Sequence, residues 1–228
     1  MHKLKQMGEG QLSFACCNTL FKEGRNCMKQ IVNIVLTGGP CGGKTESIKA
    51  LKVFLTNLGY KVIVIPEIAT ETIMDGFVPS DECITQFDFQ KIIFERQLFK
   101  ENLYREMCSK LSDSRIVIIS DRGLMDNKIY LSEEEFDELK NEHQMSDDDI
   151  FERYDAVFHL VSTATAEDRF YNKSSNICRL EDSEGARLLE KRGIEIWKEH
   201  KNFYIIDFEN EFETKLNKLK IAIMNVLE

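Results

Sequence analysis

The chain has 228 residues, 43% of them hydrophobic, and its 30 Lys and Arg against 39 Asp and Glu give a formal net charge of −9. This length suits one large α/β domain, and the negative balance opposes non-specific binding to nucleic acid or to an anionic membrane surface. Seven cysteines without a short regular spacing favour free thiols. No apolar run approaches the ~20 residues of a membrane span, so we expect a cytoplasmic protein that binds small molecules.

The first part of the chain differs from the rest. Residues 1–29 carry scattered charge and no clean period, and we expect a leader or an extra surface element there. The Cys16-Cys17 pair has no His or Cys partner nearby at metal-ligand spacing, so ordinary thiols are favoured over a metal site. Residues 30–228 are predicted to form a single domain.

That domain opens with a buried strand over 31–36 and a helix over 45–58, whose apolar side chains repeat at helical spacing. The turn between them fits the phosphate-binding pattern G-x-x-x-x-G-K-[ST]. The alternative is a glycine-rich turn that only connects the two elements. The residues of the pattern, all predicted to contact a nucleoside triphosphate, are Gly38, Gly39, Pro40, Cys41, Gly42, Gly43, Lys44 and Thr45.

Each part of this loop has a chemical reason. Glycines let successive backbone N–H groups and the positive end of the helix point at one anion. Lys44 supplies a mobile cation for the outer phosphates, and the Thr45 hydroxyl is a ligand for the Mg²⁺ that accompanies ATP or GTP. Cys41 lies where an anion is favoured, which predicts a reactive thiol protected by bound nucleotide; the alternative is an inert buried thiol.

Further along the chain, strand-like and helix-like segments alternate. This alternation predicts an α/β fold of three layers with a five-stranded parallel sheet. Together with the phosphate loop it indicates that residues 30–228 form a P-loop NTPase or kinase-like domain, in which we expect a helical lid that excludes water from the phosphates. The remaining strands are predicted at 61–65, 115–120, 156–161 and 203–206, with a long helix over 84–111. The last helix carries a core-facing stripe made of Phe212, Leu216, Leu219, Ile223 and Val226.

The segment 133–152 is densely acidic. A metal site or a basic partner is conceivable, but Ser132 and Ser146 each begin a Ser-x-x-acid pattern that starts a helix. We therefore predict a pair of solvated helices with no part in the chemistry.

Ligands of open parallel sheets bind beyond the carboxyl ends of the strands. Polar residues follow four of the predicted strands: Glu67, Asp121-Arg122, the stretch 162–179 and the segment 207–210. Asp121 is expected to hold Mg²⁺, with capping of the next turn as the alternative. Arg122 suits developing phosphate charge, and otherwise is a surface arginine. Glu67, directed by Pro66 to the mouth of the site, can accept the proton of an acceptor hydroxyl or merely cap the next helix.

Several motifs together resemble one family. Beside the phosphate loop they are Val64-Ile65-Pro66-Glu67, Phe87-Asp88-Phe89-Gln90, Ser120-Asp121-Arg122-Gly123, the strand 154–160 and Asn176-Ile177-Cys178-Arg179-Leu180-Glu181. Residues 31 to 227 thereby resemble the NadR-type P-loop ATPase/kinase domain, which occurs in bacterial ribosylnicotinamide kinases and in a TRP-channel translocation-defect protein. The layout is more distantly similar to deoxynucleoside kinases and thymidylate kinase.

The resemblance implies a role for each matching position. Glu67 corresponds to the general base, Asp121 and Arg122 to the pair that serves the metal and the phosphates, and Gln90 to the glutamine that reads the acceptor's base. Gln90 is otherwise a buried core amide. In the remaining positions, Arg179 matches the catalytic arginine of a lid over the donor, Arg169 is a second lid candidate, and Asn210 lies where related kinases hold the donor base.

The sequence therefore predicts ATP-dependent phosphoryl transfer to a small nucleoside- or nucleotide-like acceptor. A nucleotide-binding regulatory module for ATP or GTP and a slow NTP hydrolase are the alternatives. Arginine-finger and guanine-reading patterns are missing, since Asn217-Lys218-Leu219-Lys220 fails at its last position, and this disfavours ring motors and Ras-like switches. The acceptor's identity, the choice between ATP and GTP, and the oligomeric state are left open.

Overall fold

The computed structural model describes residues 29–40, 42–80, 82–162 and 183–228. These residues form five strands, seven α-helices and one 3₁₀ helix. They are, in chain order, β1 (Gln30–Thr37), α1 (Lys44–Asn57), β2 (Lys61–Ile65), α2 (Ile68–Met74), α3 (Gln86–Lys110), β3 (Arg115–Asp121), the 3₁₀ helix (Leu124–Ile129), α4 (Glu133–Glu142), α5 (Asp147–Phe151), β4 (Ala156–Leu160), α6 (Ser183–Trp197), β5 (Phe203–Ile206) and α7 (Phe212–Leu227).

The five strands form one parallel sheet in the order β2-β3-β1-β4-β5. The first strand lies in the middle, where Ile34 is paired with Ile119 of β3 and Ala156 of β4. Parallel strands buried on both faces are expected to be almost continuously apolar, as these are. The predicted five-stranded parallel sheet is confirmed, and the carboxyl ends of its central strands meet at the phosphate loop.

Helices cover both faces of the sheet. On one face, Leu51 of α1 and Ile223 of α7 pack with Leu36 in a single buried cluster. On the other face, Phe94 of α3 and Trp197 of α6 belong to a second cluster. A third cluster joins α2 and α3 to the edge strand β2 and to its neighbour β3. The three-layer architecture predicted from the sequence is therefore confirmed.

Two predicted helical features are refined by the structure. The acidic segment does form two helices, each started by a capping box, one at Ser132 and one at Ser146. The stripe of α7 is buried at Leu216, Leu219 and Ile223, whereas Phe212 is 39% exposed. Phe212 stands at the first residue of the helix, beside the phosphate loop rather than over the sheet.

Three sequence-based predictions fall outside the described residues: the leader 1–29, apart from Lys29, the reactive thiol of Cys41, and the lid around 169–181. In the ranges that the structure describes, none of the helices is long and apolar enough to cross a membrane.

Candidate nucleotide-binding site

The phosphate loop connects β1 to α1, and its glycines are required by close backbone contacts. Gly38 and Gly43 have φ angles of 133° and 80°, which residues with a Cβ rarely adopt. A Cβ on Gly42 would lie 2.7 Å from the carbonyl oxygen of Leu160 at the end of β4. The loop is thus packed onto the neighbouring strand, and only glycine fits at these positions.

Lys44 begins α1 and folds back over the loop. Its Nζ donates hydrogen bonds to the carbonyl oxygens of Gly38 at 2.9 Å and Gly39 at 3.1 Å. Burial, assisted by the nearby charge of Arg122, lowers the pKa of Lys44 to about 8. Thr45 follows at the exposed start of the helix. The lysine therefore donates its hydrogen bonds to carbonyl groups of the loop itself, and it can exchange these bonds for bonds to phosphate oxygens.

Asp121 is the last residue of β3 and is only 6% exposed. Desolvation raises the pKa of its carboxyl to about 6, although the positive charge of Lys44 opposes the rise. Its Oδ1 atom has no hydrogen-bond partner. The next turn is capped by another residue, because Asp126 Oδ2 accepts the Gly123 N–H at 2.8 Å. Asp121 is thus not the turn cap that the sequence offered as an alternative.

The oxygen donors at this place fit a magnesium ion. An unpartnered buried carboxylate oxygen on Asp121 and the hydroxyl of Thr45 are ligands of the kind that Mg²⁺ binds. No group of three or more His, Cys, Asp and Glu side chains able to hold a metal occurs in the described ranges. Because the protein supplies so few ligands here, the site suits Mg²⁺, which keeps several bound waters and takes phosphate oxygens as further ligands.

Arg122 adopts a left-handed backbone conformation with a φ of 73°. Its N–H donates to Leu36 O at 3.0 Å, and its carbonyl accepts from Gln97 Nε2 at 3.3 Å. Its side-chain Nε donates to Glu67 Oε1 at 2.8 Å. A non-glycine residue in this conformation is uncommon and occurs frequently at functional sites, where the surrounding structure holds it.

Glu67 lies after β2 at the N-cap position of α2, but its side chain makes no capping hydrogen bond. Its carboxylate instead accepts from Arg122 and from the Thr70 hydroxyl at 2.7 Å. Burial favours the protonated form of Glu67, but the charges of Arg122 and Lys44 outweigh it and lower the pKa to about 2. The structure thus brings Glu67, Arg122, Asp121 and Lys44 into one electrostatic group, as the sequence predicted from strand ends.

The other predicted site residues are distributed differently. Gln90 is 4% exposed on α3, next to the buried Phe89. Asn210 is exposed in the segment between β5 and α7. That segment leads to the phosphate loop, since a Cβ on Gly43 would lie 3.3 Å from the Phe212 ring. The predicted residues Cys41, Arg169 and Arg179 lie outside the described residues.

A small pocket beside the first half of the phosphate loop joins several of these groups. Arg122 and His159 line it, and the ring nitrogens of the fully buried His159 have no hydrogen-bond partner. The remaining lining residues are Thr37, Gly38, Gly39, Pro40, Ile129, Tyr130, Leu189 and Gly193. The pocket thus lies between the end of β3, the sheet and α6, with Arg122 in its wall.

Sequence reasoning missed several residues around the loop. Asp126 accepts hydrogen bonds from Thr37 Oγ1 and from the Gly123 backbone. Asp126 lies three residues after Gly123, but glycine has no side chain with which to complete a capping box, so the sequence carries only half of that signal. Three further buried side chains contact the loop or the backbone of Arg122: Gln97, Ser162 and Lys215. Ser162 begins the polar stretch that the sequence places after the fourth strand, whereas nothing in the sequence neighbourhood marks Gln97 or Lys215.

Comparisons with known proteins agree with this geometry. No curated protein sequence matches the chain. The crystal structure of thymidylate kinase from Ehrlichia chaffeensis is similar with a TM-score of 0.56 and 15% sequence identity, over 87% of this chain and 99% of that one. At this identity the likeness concerns the fold. The sequence profile of the AAA domain family matches residues 33–215, which include the phosphate loop and β2 to β5. The chain therefore belongs to the AAA domain family, with a P-loop, kinase-like domain.

Proposed function

We propose that the protein binds Mg²⁺·ATP and transfers the γ-phosphoryl group to a hydroxyl of a nucleoside- or nucleotide-like acceptor. The observation that carries this proposal is the Glu67–Arg122 ion pair, with an Nε–Oε1 distance of 2.8 Å, in electrostatic contact with Lys44. A nucleotide-binding module without an acceptor needs no carboxylate at this position. The structural similarity to a thymidylate kinase supports a nucleotide-like acceptor.

On the donor side, the chain's own groups bind and orient the phosphates. Backbone N–H groups of the phosphate loop hold the β- and γ-phosphates. Lys44 leaves the carbonyls of Gly38 and Gly39 and pairs with the outer phosphate oxygens. Thr45 and Asp121 would hold Mg²⁺, which when bound neutralises phosphate charge. Asn210 is proposed to contact the donor base, and Arg169 and Arg179 to close over the donor.

On the acceptor side, Arg122 and Glu67 act together. While Arg122 is bonded to it, Glu67 is ionised but only weakly basic, as its pKa of about 2 indicates. When Arg122 turns to the phosphoryl oxygens, Glu67 loses this partner and its basicity rises. Glu67 then takes the proton of the acceptor hydroxyl, the acceptor oxygen bonds to the γ-phosphorus, the bond to the bridging oxygen breaks, and ADP leaves. Gln90 is proposed to read the acceptor's base.

A slow NTP hydrolase is the second candidate. The observation that favours it is the same low pKa of Glu67, because a strongly paired carboxylate orients a water molecule more readily than it abstracts a proton. In this case ATP turnover would be slow and independent of any added hydroxyl compound.

The test is ADP release with Mg²⁺·ATP or Mg²⁺·GTP against a panel of nucleosides, nucleoside monophosphates and ribosylnicotinamide. We expect release to depend strongly on one acceptor class. Release unchanged by every acceptor supports the hydrolase, and tight binding without turnover supports a regulatory module.

A matched pair of variants ties the activity to the site. Lys44→Ala should abolish both nucleotide binding and release, because the lysine faces the ligand. Lys49→Ala is the control, since this lysine lies on the same helix with its side chain 67% exposed. Equal loss in both variants, or binding retained by Lys44→Ala, would contradict the assignment.

A further inference from the structure

The phosphate loop is held from its outer side by two side chains from distant parts of the chain. Ser162, just after β4, donates its hydroxyl hydrogen bond to the carbonyl oxygen of Pro40. Lys215, in the first turns of α7, donates from Nζ to Gly42 O at 2.9 Å and to Val161 O at 2.6 Å. The loop is thereby bonded to both the fourth strand and the last helix.

Lys215 is buried, with an exposed fraction of only 6%. Burial lowers its pKa, and the charge of Glu190 on α6 opposes this effect. Glu190 is itself buried and accepts the backbone N–H of Ser162. A buried ammonium group is unfavourable unless it is paired and fully hydrogen-bonded. Packing alone therefore does not explain why a lysine is buried at the outer side of the glycine-rich loop.

Peptide geometry supplies that reason. In a planar trans peptide the C=O and the following N–H point in opposite directions. When Lys215 binds the Gly42 carbonyl, it therefore directs the Gly43 N–H away from itself. Glycine peptides rotate easily, because no Cβ restricts their backbone angles. Two of the loop's carbonyls, those of Pro40 and Gly42, are fixed in this way from the outer side.

We propose that Lys215 and Ser162 are positioning residues for the donor phosphates: they fix the orientation of the loop's peptide groups, so that its N–H groups are arranged for an anion before the nucleotide binds. The inference rests on the proposed function in one respect, namely that the loop binds the phosphates of the donor. Neither residue touches the reacting atoms. Their effect is on the affinity for phosphates, because a loop that is not held must be ordered at the expense of binding free energy.

The test uses calorimetric titration of the full chain with Mg²⁺·ADP and with inorganic pyrophosphate. Lys215→Met keeps a similar length without the donor group, and we expect the Kd for both ligands to rise by about 10- to 100-fold, the range of a lost hydrogen bond to a charged group. Ser162→Ala should raise both Kd values by about 3- to 10-fold, since a neutral bond is weaker. Lys218→Met is the control on the same helix, because its side chain is 52% exposed and pairs with Glu209.

Kinetics separate positioning from a general loss of structure. A positioning role raises the donor's KM and leaves the acceptor's KM unchanged, whereas partial unfolding lowers kcat with both KM values unchanged. If Lys215→Met does not fold, as circular dichroism would reveal, Ser162→Ala decides the question alone. Affinities equal to those of the parent in a folded variant would overturn the inference. A parent protein that binds neither ADP nor pyrophosphate would instead contradict the proposed function.

Discussion

Asp121 and Lys44, two charged residues at the phosphate loop, have pKa values shifted towards each other. Burial raises the pKa of Asp121 to about 6 and lowers that of Lys44 to about 8. Each shift means that the charged form is disfavoured in the ligand-free protein relative to water. Binding of a phosphate chain and a cation would supply opposite charges to both groups. The two buried charges thus lower the stability of the ligand-free protein, and a bound ligand of opposite charge would remove this cost.

The first residue-scale prediction concerns Asp121→Asn. Because the folded pKa of about 6 exceeds the unfolded value of 3.8, the carboxyl contributes stability below pH 4 that is lost as the pH rises to about 6. The uncharged amide avoids this loss. We expect the Tm of the variant to exceed that of the parent by a few degrees at pH 7.5 and by less at pH 4.5. The shift in pKa sets the upper limit of this gain in the free energy of unfolding at about 3 kcal/mol.

Calorimetry of the ligand-free protein at both pH values measures this difference. Asp113→Asn is the control, because Asp113 is exposed just before the same strand. The gain in Tm on adding Mg²⁺·ATP should be smaller in Asp121→Asn than in the parent. A lower Tm of the ligand-free variant at pH 7.5 would mean that the Asp121 carboxylate stabilises the fold.

The second prediction concerns Glu67→Gln. Donor affinity should be retained, while acceptor-dependent turnover falls by about 10²–10⁴-fold through loss of the general base. Steady-state kinetics and a donor titration measure the two effects separately. Glu71→Gln is the matched control one helical turn along α2, where the carboxylate pairs with Arg96 and Lys100. Turnover within a few-fold of the parent would limit Glu67 to anchoring Arg122.

At the scale of elements, α3 does more than cover the sheet. Its buried Gln97 donates to Glu101 on the next turn at 2.8 Å and to the carbonyl of Arg122. Glu101 accepts the hydroxyl of Tyr154, and the Tyr154 oxygen accepts the N–H of Leu124. One helix therefore holds the chain on both sides of Gly123, which explains how Arg122 keeps its left-handed backbone.

The prediction at this scale is that Gln97→Leu lowers kcat by about tenfold, with the donor's Kd unchanged. The substitution keeps the volume of the side chain but removes two hydrogen bonds, one to Glu101 and one, worth about 1 kcal/mol, to the carbonyl of Arg122 at a strained backbone position. Single-turnover kinetics at saturating donor measure the effect. Gln86→Leu, at the exposed start of α3, is the control. A raised donor Kd with unchanged kcat would show that α3 acts on the phosphate loop instead.

Element positions could be predicted from the sequence because their signals are local. Apolar runs gave all five strands, and the Ser132 and Ser146 patterns gave both acidic helices. The ends were less predictable. The long helix begins at Gln86, two residues later than expected, because the Thr85 side chain accepts the Asp88 N–H and so makes Thr85 the N-cap. Helix ends depend on such single hydrogen bonds, for which several candidates are usually close together in a sequence.

At the scale of the whole molecule, the site was predictable only in part. The phosphate loop is a contiguous pattern, and Glu67, Asp121 and Arg122 follow strands whose ends meet in any parallel sheet. Lys215 and Gln97 reach the site by tertiary folding alone. In the sequence, Lys215 is one more polar residue beside the apolar stripe of α7, and no local property separates it from the exposed Lys218.

The strand order has a consequence for the time at which the protein becomes competent to bind. The phosphate loop is synthesised before β3 and β4, the two strands between which β1 lies in the sheet. Its contact with Leu160 needs the end of β4, and its contact with Lys215 needs α7, which is synthesised later still. A nascent chain that ends before α7 carries the complete phosphate-binding motif but lacks the hydrogen bond from Lys215 that holds the loop. Nucleotide binding would therefore stabilise only chains in which β3, β4 and α7 have already taken their places around the loop.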